Sequence, residues 1–92
     1  MSLVVVRIPA PLQVYAGGAP ELRAAAGTVA EVLQELGANY PQLLPRLLDA
    51  DGELRPFVNV FVDRANVRVL DGLATPVPPG AVVSILPAVA GG

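Results

Sequence analysis

The side chains that carry most enzyme chemistry are missing from this chain. It has no Cys, no His and no Lys, so all six positive charges are Arg, set against eight carboxylates. Disulfides, thiolate nucleophiles, Schiff bases and soft metal ligands are excluded together. So is the one side chain whose unperturbed pKa lies near neutrality. The hydroxyls are Ser2, Ser84, Thr28, Thr75, Tyr15 and Tyr40, with no His or Lys to activate any of them. Paired carboxylates leave general acid–base work formally open. "DADGEL" (Asp49 to Leu54) gathers three of them around a glycine. The ligand spacing and distant bidentate Glu of a calcium loop are absent, so it reads as a solvated turn. Gly17-Gly18 lacks a phosphate loop's lysine or a dinucleotide pattern and also reads as a turn. The composition argues against a stand-alone enzyme. A net charge of −2 and four aromatics argue equally against a nucleic-acid partner.

One reactive group remains that no side-chain count includes, the α-carboxylate that follows "ILPAVAGG". Two readings compete. The end is either a frayed tail of the usual kind or the working part of the molecule. In the second reading Gly91 and Gly92, lacking Cβ, can adopt backbone angles closed to other residues. Pro87 is expected to end the last strand, and the residues from Pro87 onward reach at most ~20 Å at ~3.3–3.6 Å each. The expected division is a domain over 1–86 and a flexible Gly-Gly tail over 87–92.

The elements that must hold such a tail follow from periodicity. Ninety-two residues suit one small domain. The hydrophobic fraction is 53% and the charged fraction 15%, the latter below the roughly 25% usual for soluble domains. Either an Ala-, Val- and Leu-rich coding bias or an apolar surface kept for a partner accounts for this. No apolar run approaches the ~20 residues that span a bilayer, and no charged start precedes a long apolar stretch. A soluble cytoplasmic protein is expected.

"LVVVRI" (Leu3 to Ile8) reads as a strand with Val4, Val6 and Ile8 on one face, ended by Pro9 and Pro11. "YAGGAP" is expected to be loop and "ELRAA" a weaker strand pairing back on the first. Thr28 and Glu31 have capping-box spacing. The stripe Val29, Val32, Leu33 and Leu36 predicts an amphipathic helix, with Gly37 as a left-handed C-cap candidate. "NYPQLLPRLLD" starts afresh with Pro41 near a first helical position, and Pro45 limits it to short helical turns. Leu43, Leu44, Leu47 and Leu48 are assigned to the core. "PFVNVFVD" (Pro56 to Asp63) is the strongest strand, with Val58, Val60 and Val62 on one face. Its other face mixes Phe57 and Phe61 with Asn59 and Asp63. That face either meets a partner or tucks its aromatics under a loop. "VRVL" (Val67 to Leu70) is expected to return as a short strand, "DGLATPVPPG" to be irregular, and "AVVSIL" (Ala81 to Leu86) to be the last strand. Val83 and Ile85 point one way; Val82, Ser84 and Leu86 share the side of Phe61. The fold class is α+β, one sheet with one main helix across it.

Together "ANYPQLLPRLLDADGELRPFVNVFVD", "VRVLDGLATPVPPG" and "SILPAVAGG" resemble the ubiquitin-like sulfur carriers of the ThiS/MoaD family, and most of all the branch that feeds sulfur to cysteine synthesis (the CysO type). The resemblance covers nearly the whole chain. It implies a β-grasp fold with a mixed sheet of about four to five strands. It also implies that an E1-like enzyme uses ATP to adenylate the Gly92 carboxylate, after which sulfur replaces AMP and a thiocarboxylate carries it to an acceptor. Gly92 is then the adenylation and thiocarboxylate site, with Gly91, Ala90 and Val89 threading the enzyme's channel. Phe61 and Leu86, with Ser84 beside them, match the family's partner-docking patch. No catalytic residue, metal ligand or bound cofactor is implied in the carrier itself. The implied partners are the E1-like loading enzyme, a PLP-dependent cysteine synthase or another acceptor, and a metalloprotease that clips off new cysteine. Carriage of sulfur for molybdopterin, thiamin or a shared set of products stays open, as does protein conjugation. Against conjugation, "AVA" lacks the arginines that flank ubiquitin's terminal glycines.

Overall fold

The computed structural model describes residues 3–87. The strands are β1 (Leu3–Arg7), β2 (Glu21–Ala25), β3 (Gly27–Thr28), β4 (Val58–Val62), β5 (Ala65–Asn66), β6 (Pro76–Val77) and β7 (Val82–Pro87). Helices α1 (Val29–Asn39) and α2 (Leu44–Leu47) lie between β3 and β4. Five strands form one sheet in the order β2-β1-β7-β4-β5, and β3 pairs with β6 apart from it. β7 runs parallel to β1 and antiparallel to β4, so the last strand lies at the centre of the sheet.

Period-two alternation sets the two faces of this sheet. Val4, Val6, Val58, Val60, Val83 and Ile85 are all essentially buried, and they share one core with Val29, Val32, Leu33 and Leu36 of α1. The stripe is therefore the helix face laid across the sheet. The Thr28 cap forms as its spacing requires. Thr28 Oγ1 accepts the Glu31 backbone N–H at 3.2 Å, and Glu31 Oε1 accepts that of Thr28 at 2.9 Å.

Gly37 corrects the reading of it as a C-cap. The helix continues to Asn39 and ends at Tyr40, whose N–H reaches the Leu36 carbonyl. Gly37 is there for close approach: a Cβ would lie 2.7 Å from Leu44 Cδ2 and 3.0 Å from Leu44 Cβ. The glycine lets the segment after α1 fold back against it. Leu43, Leu47 and Leu48 are buried as expected, and Leu44 packs partly buried against the core.

Other boundaries differ from expectation. Ala10–Ala16, part of it taken for loop, is a 3₁₀ helix starting at Pro9 and Pro11 and closed by Gly17 at φ +66°. Proline suits a first helical turn because its missing N–H would be unpaired there anyway. For the same reason Pro45, not Pro41, opens a helix, the short α2. Val67–Val69 is 3₁₀ rather than strand, because the Asn66 side chain accepts the Arg68 N–H and turns the chain. Val67 is buried while Val69 is 80% exposed, so the returning strand is only Ala65–Asn66. "DGLATPVPPG" holds a 3₁₀ turn, Gly72–Ala74, and the two residues of β6. β4 is shorter than Pro56–Asp63, its ends being a turn at Arg55 to Val58 and a positive φ at Asp63. β7 includes Pro87, one residue beyond the strand expected to end at Leu86.

Candidate functional site

The face of the sheet turned away from the core carries the sequence-predicted docking residues, and strand register brings them together. Arg7 pairs with Glu21 on β2 and Ser84 on β7; Ser84 pairs with Phe61 on β4; Phe61 pairs with Asn66 on β5. Glu21, Arg7, Ser84, Phe61 and Asn66 therefore form one line across all five strands. One step toward the end of β7, Leu86 lies opposite Asn59; one step back, Val82 lies beside Val5.

Phe61, Ser84 and Leu86 are thus neighbours. Phe61 and Ser84 are half-buried, and Leu86 is 47% exposed. Phe61 lies within the sheet face, whereas Phe57, 54% exposed, stands at the turn before β4. Hydrogen-bonded strands on both sides fix the small apolar centre of Val5, Val82, Phe61 and Leu86.

Sequence reasoning missed Arg7 and Glu21. They form an ion pair at 3.5 Å with both side chains largely exposed, which contributes little to stability. Its position is more informative. Arg7, Glu21, Ser84 and Leu86, with Pro9 and Pro20, line a groove of about 570 Å³ at the carboxyl ends of β1 and β7. The apolar patch thus has a charged margin on one side. The only sequence signal for it was the alternation in "VVVRI", which puts Arg7 out of phase with Val4 and Val6.

Two grips fix β7 at its ends. At the start, the Asp63 N–H donates to the Val82 carbonyl at 2.7 Å and Asp63 Oδ1 accepts the Val82 N–H at 3.0 Å. Asp tolerates this left-handed backbone better than most residues. At the far end Pro87 is in register with Val58, whose carbonyl accepts from Arg68 Nη2 at 2.7 Å; the same nitrogen reaches the Arg55 carbonyl, also at 2.7 Å. Gly92, Gly91, Ala90 and Val89 lie outside the described residues.

The acidic loop behaves as the turn its spacing indicates. Asp49 Oδ1 accepts the backbone N–H groups of Asp51 and Glu53, so the carboxylate closes the loop on itself. Among the described residues no three His, Cys, Asp or Glu side chains are grouped to hold a metal ion. No helix among them is long and apolar enough to cross a membrane.

A mixed five-stranded sheet with the last strand at its centre and one main helix laid across it define a ubiquitin-like, β-grasp domain. The ThiS family model matches residues 6–92, and the chain belongs to that family. It is 43% identical over 91 residues to the sulfur carrier protein CysO of Mycobacterium tuberculosis, a match covering 97% of this chain and 98% of that one. The crystal structure of the Amycolatopsis orientalis BexX/CysO complex contains a chain that superposes with a TM-score of 0.90 at 36% identity. That match covers 97% of this chain and 99% of the other. Small archaeal modifier protein 3 of Haloferax volcanii is 48% identical over 65 residues, covering 71% of this chain and 70% of that protein.

Proposed function

We propose that this chain is a sulfur carrier whose Gly92 carboxylate is the reactive group, most suited to cysteine biosynthesis. The observation that carries the reading is near full-length similarity to a CysO sulfur carrier in a chain whose own side chains hold no nucleophile of the Cys, His or Lys kind. A free carboxylate is a poor electrophile. Transfer of AMP from ATP, with release of pyrophosphate, gives an acyl-adenylate with a good leaving group. Sulfur from a donor then displaces AMP and leaves a thiocarboxylate. ATP belongs to the E1-like activating enzyme, and the carrier binds no cofactor. Val89, Ala90 and Gly91 give reach and access while Phe61, Ser84 and Leu86 dock outside. A cytoplasmic location and a PLP-dependent cysteine synthase as acceptor, with a metalloprotease releasing the new cysteine, complete the scheme.

A second reading, ubiquitin-like protein modification, is favoured by the similarity to an archaeal modifier protein. The tail "AVAGG" counts against it, since it lacks the flanking arginines of ubiquitin.

Intact-mass spectrometry tests both readings. Incubation with ATP, the activating enzyme and a sulfur donor is expected to exchange one oxygen for sulfur at Gly92. Deleting Gly92 should abolish that exchange while the thermal transition is unchanged. Loading of the truncated chain, or ladders of conjugates on lysines of other proteins, would refute the carrier scheme.

A further inference from the structure

The sheet topology places a second surface around the end of β7. Because β1 runs parallel to β7, the 3₁₀ segment Ala10–Ala16 that follows β1 lies at the end where β7 finishes. Because β4 runs antiparallel, the turn that precedes it lies at that same end. Between these two segments is a groove of about 690 Å³. It is lined by Leu12 and Tyr15 of the 3₁₀ segment, Pro45 and Arg46 of α2, and Arg55 and Phe57 before β4.

The chain carries a net charge of −2, yet two of its six guanidinium groups converge here. Both are held in place. Arg46 stacks over the Tyr15 ring, 4.4 Å from its centroid, a contact that orients the planar group. Arg55 Nε donates to the Pro45 carbonyl at 2.7 Å. That bond leaves the terminal nitrogens of Arg55 without a hydrogen-bond partner among the described residues. The ion pair among those residues is Arg7–Glu21, so neither Arg46 nor Arg55 has a carboxylate. Phe57, more than half exposed, supplies an apolar wall beside them. Fixed guanidinium forks beside an exposed aromatic ring match a carboxylate with an apolar neighbour.

We infer that this groove is a docking site for an acidic segment of the enzyme that receives the tail. The inference rests on the carrier reading, because an enzyme that engages residues beyond Pro87 approaches the end of the sheet where these segments lie. Contact on the open sheet face and contact in this groove would hold this end of the domain at two places. The ionic part steers encounter and fixes register, while the aromatic part supplies desolvated contact.

The test uses the full chain and its activating enzyme. Sulfur loading is followed by intact mass at varied carrier concentration for the wild type, Arg46→Glu and Phe57→Ser. Arg46 and Phe57 are both exposed, so thermal transitions should stay close to wild type. Charge reversal is expected to raise KM about tenfold with kcat held, and added salt should shrink that difference. Phe57→Ser should raise KM without the salt dependence. An unchanged KM in both variants overturns the docking site while wild-type loading upholds the carrier reading. Failure of the wild type to load refutes the carrier reading and the docking site with it. A third outcome concerns the chain's own terminus: if removing residues 88–92 shifts the NMR signals of the Tyr15 and Phe57 rings in the isolated protein, the tail occupies the groove and the partner assignment is wrong.

Discussion

Replacing Leu86 by Asp should separate docking from folding, provided Leu3→Asp is measured beside it. The two leucines are matched: each is 47% exposed, and each lies on the face of the sheet away from α1. Leu86 is next to the end of β7, opposite Asn59. Leu3 is at the other end of the sheet, where its carbonyl accepts the Gly80 N–H. Fully burying a leucine is worth about 1.5–3 kcal/mol, so roughly half that, about 1 kcal/mol, is at stake in either position. In a domain of this size such a loss lowers the thermal midpoint by about 4–8 °C. Docking should respond differently. A truncated anchor at the centre of an interface costs about 2 kcal/mol or more, close to a thirtyfold change in affinity. The assay pairs thermal denaturation with the KM for sulfur loading by the activating enzyme. Similar losses of midpoint are expected, with a large rise in KM for Leu86→Asp alone. Equal rises in KM would show that the enzyme reads the whole sheet face, and the assignment of Leu86 to a local patch would fail.

Two further predictions concern positions that hold the scaffold. Gly37→Ala sets a helix-propensity gain of about 1 kcal/mol against overpacking of about 1–3 kcal/mol. Leu44 Cβ as well as its mobile Cδ2 stands in the way, so a lower urea midpoint is expected, and a higher one would show that the contact relaxes freely. Arg68→Ala removes a charged donor from two carbonyls, those of Arg55 and Val58. At about 1.5–3 kcal/mol for hydrogen bonds to a charged group, it should destabilise the fold and speed amide exchange at the start of β4.

The parts of the fold legible in the sequence were those where one local rule decides the outcome. Alternation in "LVVVRI", "FVNVFV" and "VVSIL" gave the core face residue by residue. Thr28 and Glu31 fixed the start of α1. Errors arose where a local signal competed with a contact distant in sequence. Gly37 has the type and place of a C-cap, and only Leu44 folding back explains why a glycine stands inside the helix. Val67 and Val69 alternate like a strand, but the Asn66 side chain bends the backbone first. That Phe61, Ser84 and Leu86 share one face was readable because they lie on two strongly alternating strands. Arg7 and Glu21 were not, because the parallel pairing of β1 with β7 joins the two ends of the chain and no local pattern reports it. The Arg46 and Arg55 groove needs still more: a 3₁₀ segment, a short helix and a turn from three separate stretches.

The central position of β7 explains how one strand could serve the proposed scheme as both launch point and docking face. An edge strand is held on one side only and opens readily, so a terminus leaving it would start from a variable place. β7 is paired on both sides, gripped at Val82 by Asp63 and registered at Pro87 against Val58. Within it, buried Val83 and Ile85 alternate with Ser84 and Leu86 on the open face. The same two-residue period that anchors the strand in the core also sets which of its side chains stand on the open face. On the proposed carrier scheme, an enzyme seated on Ser84 and Leu86 would be placed at a fixed distance from Pro87. Under that scheme, much of the entropic cost of presenting one carboxylate to a distant active site would be met before binding, by the folding of the sheet.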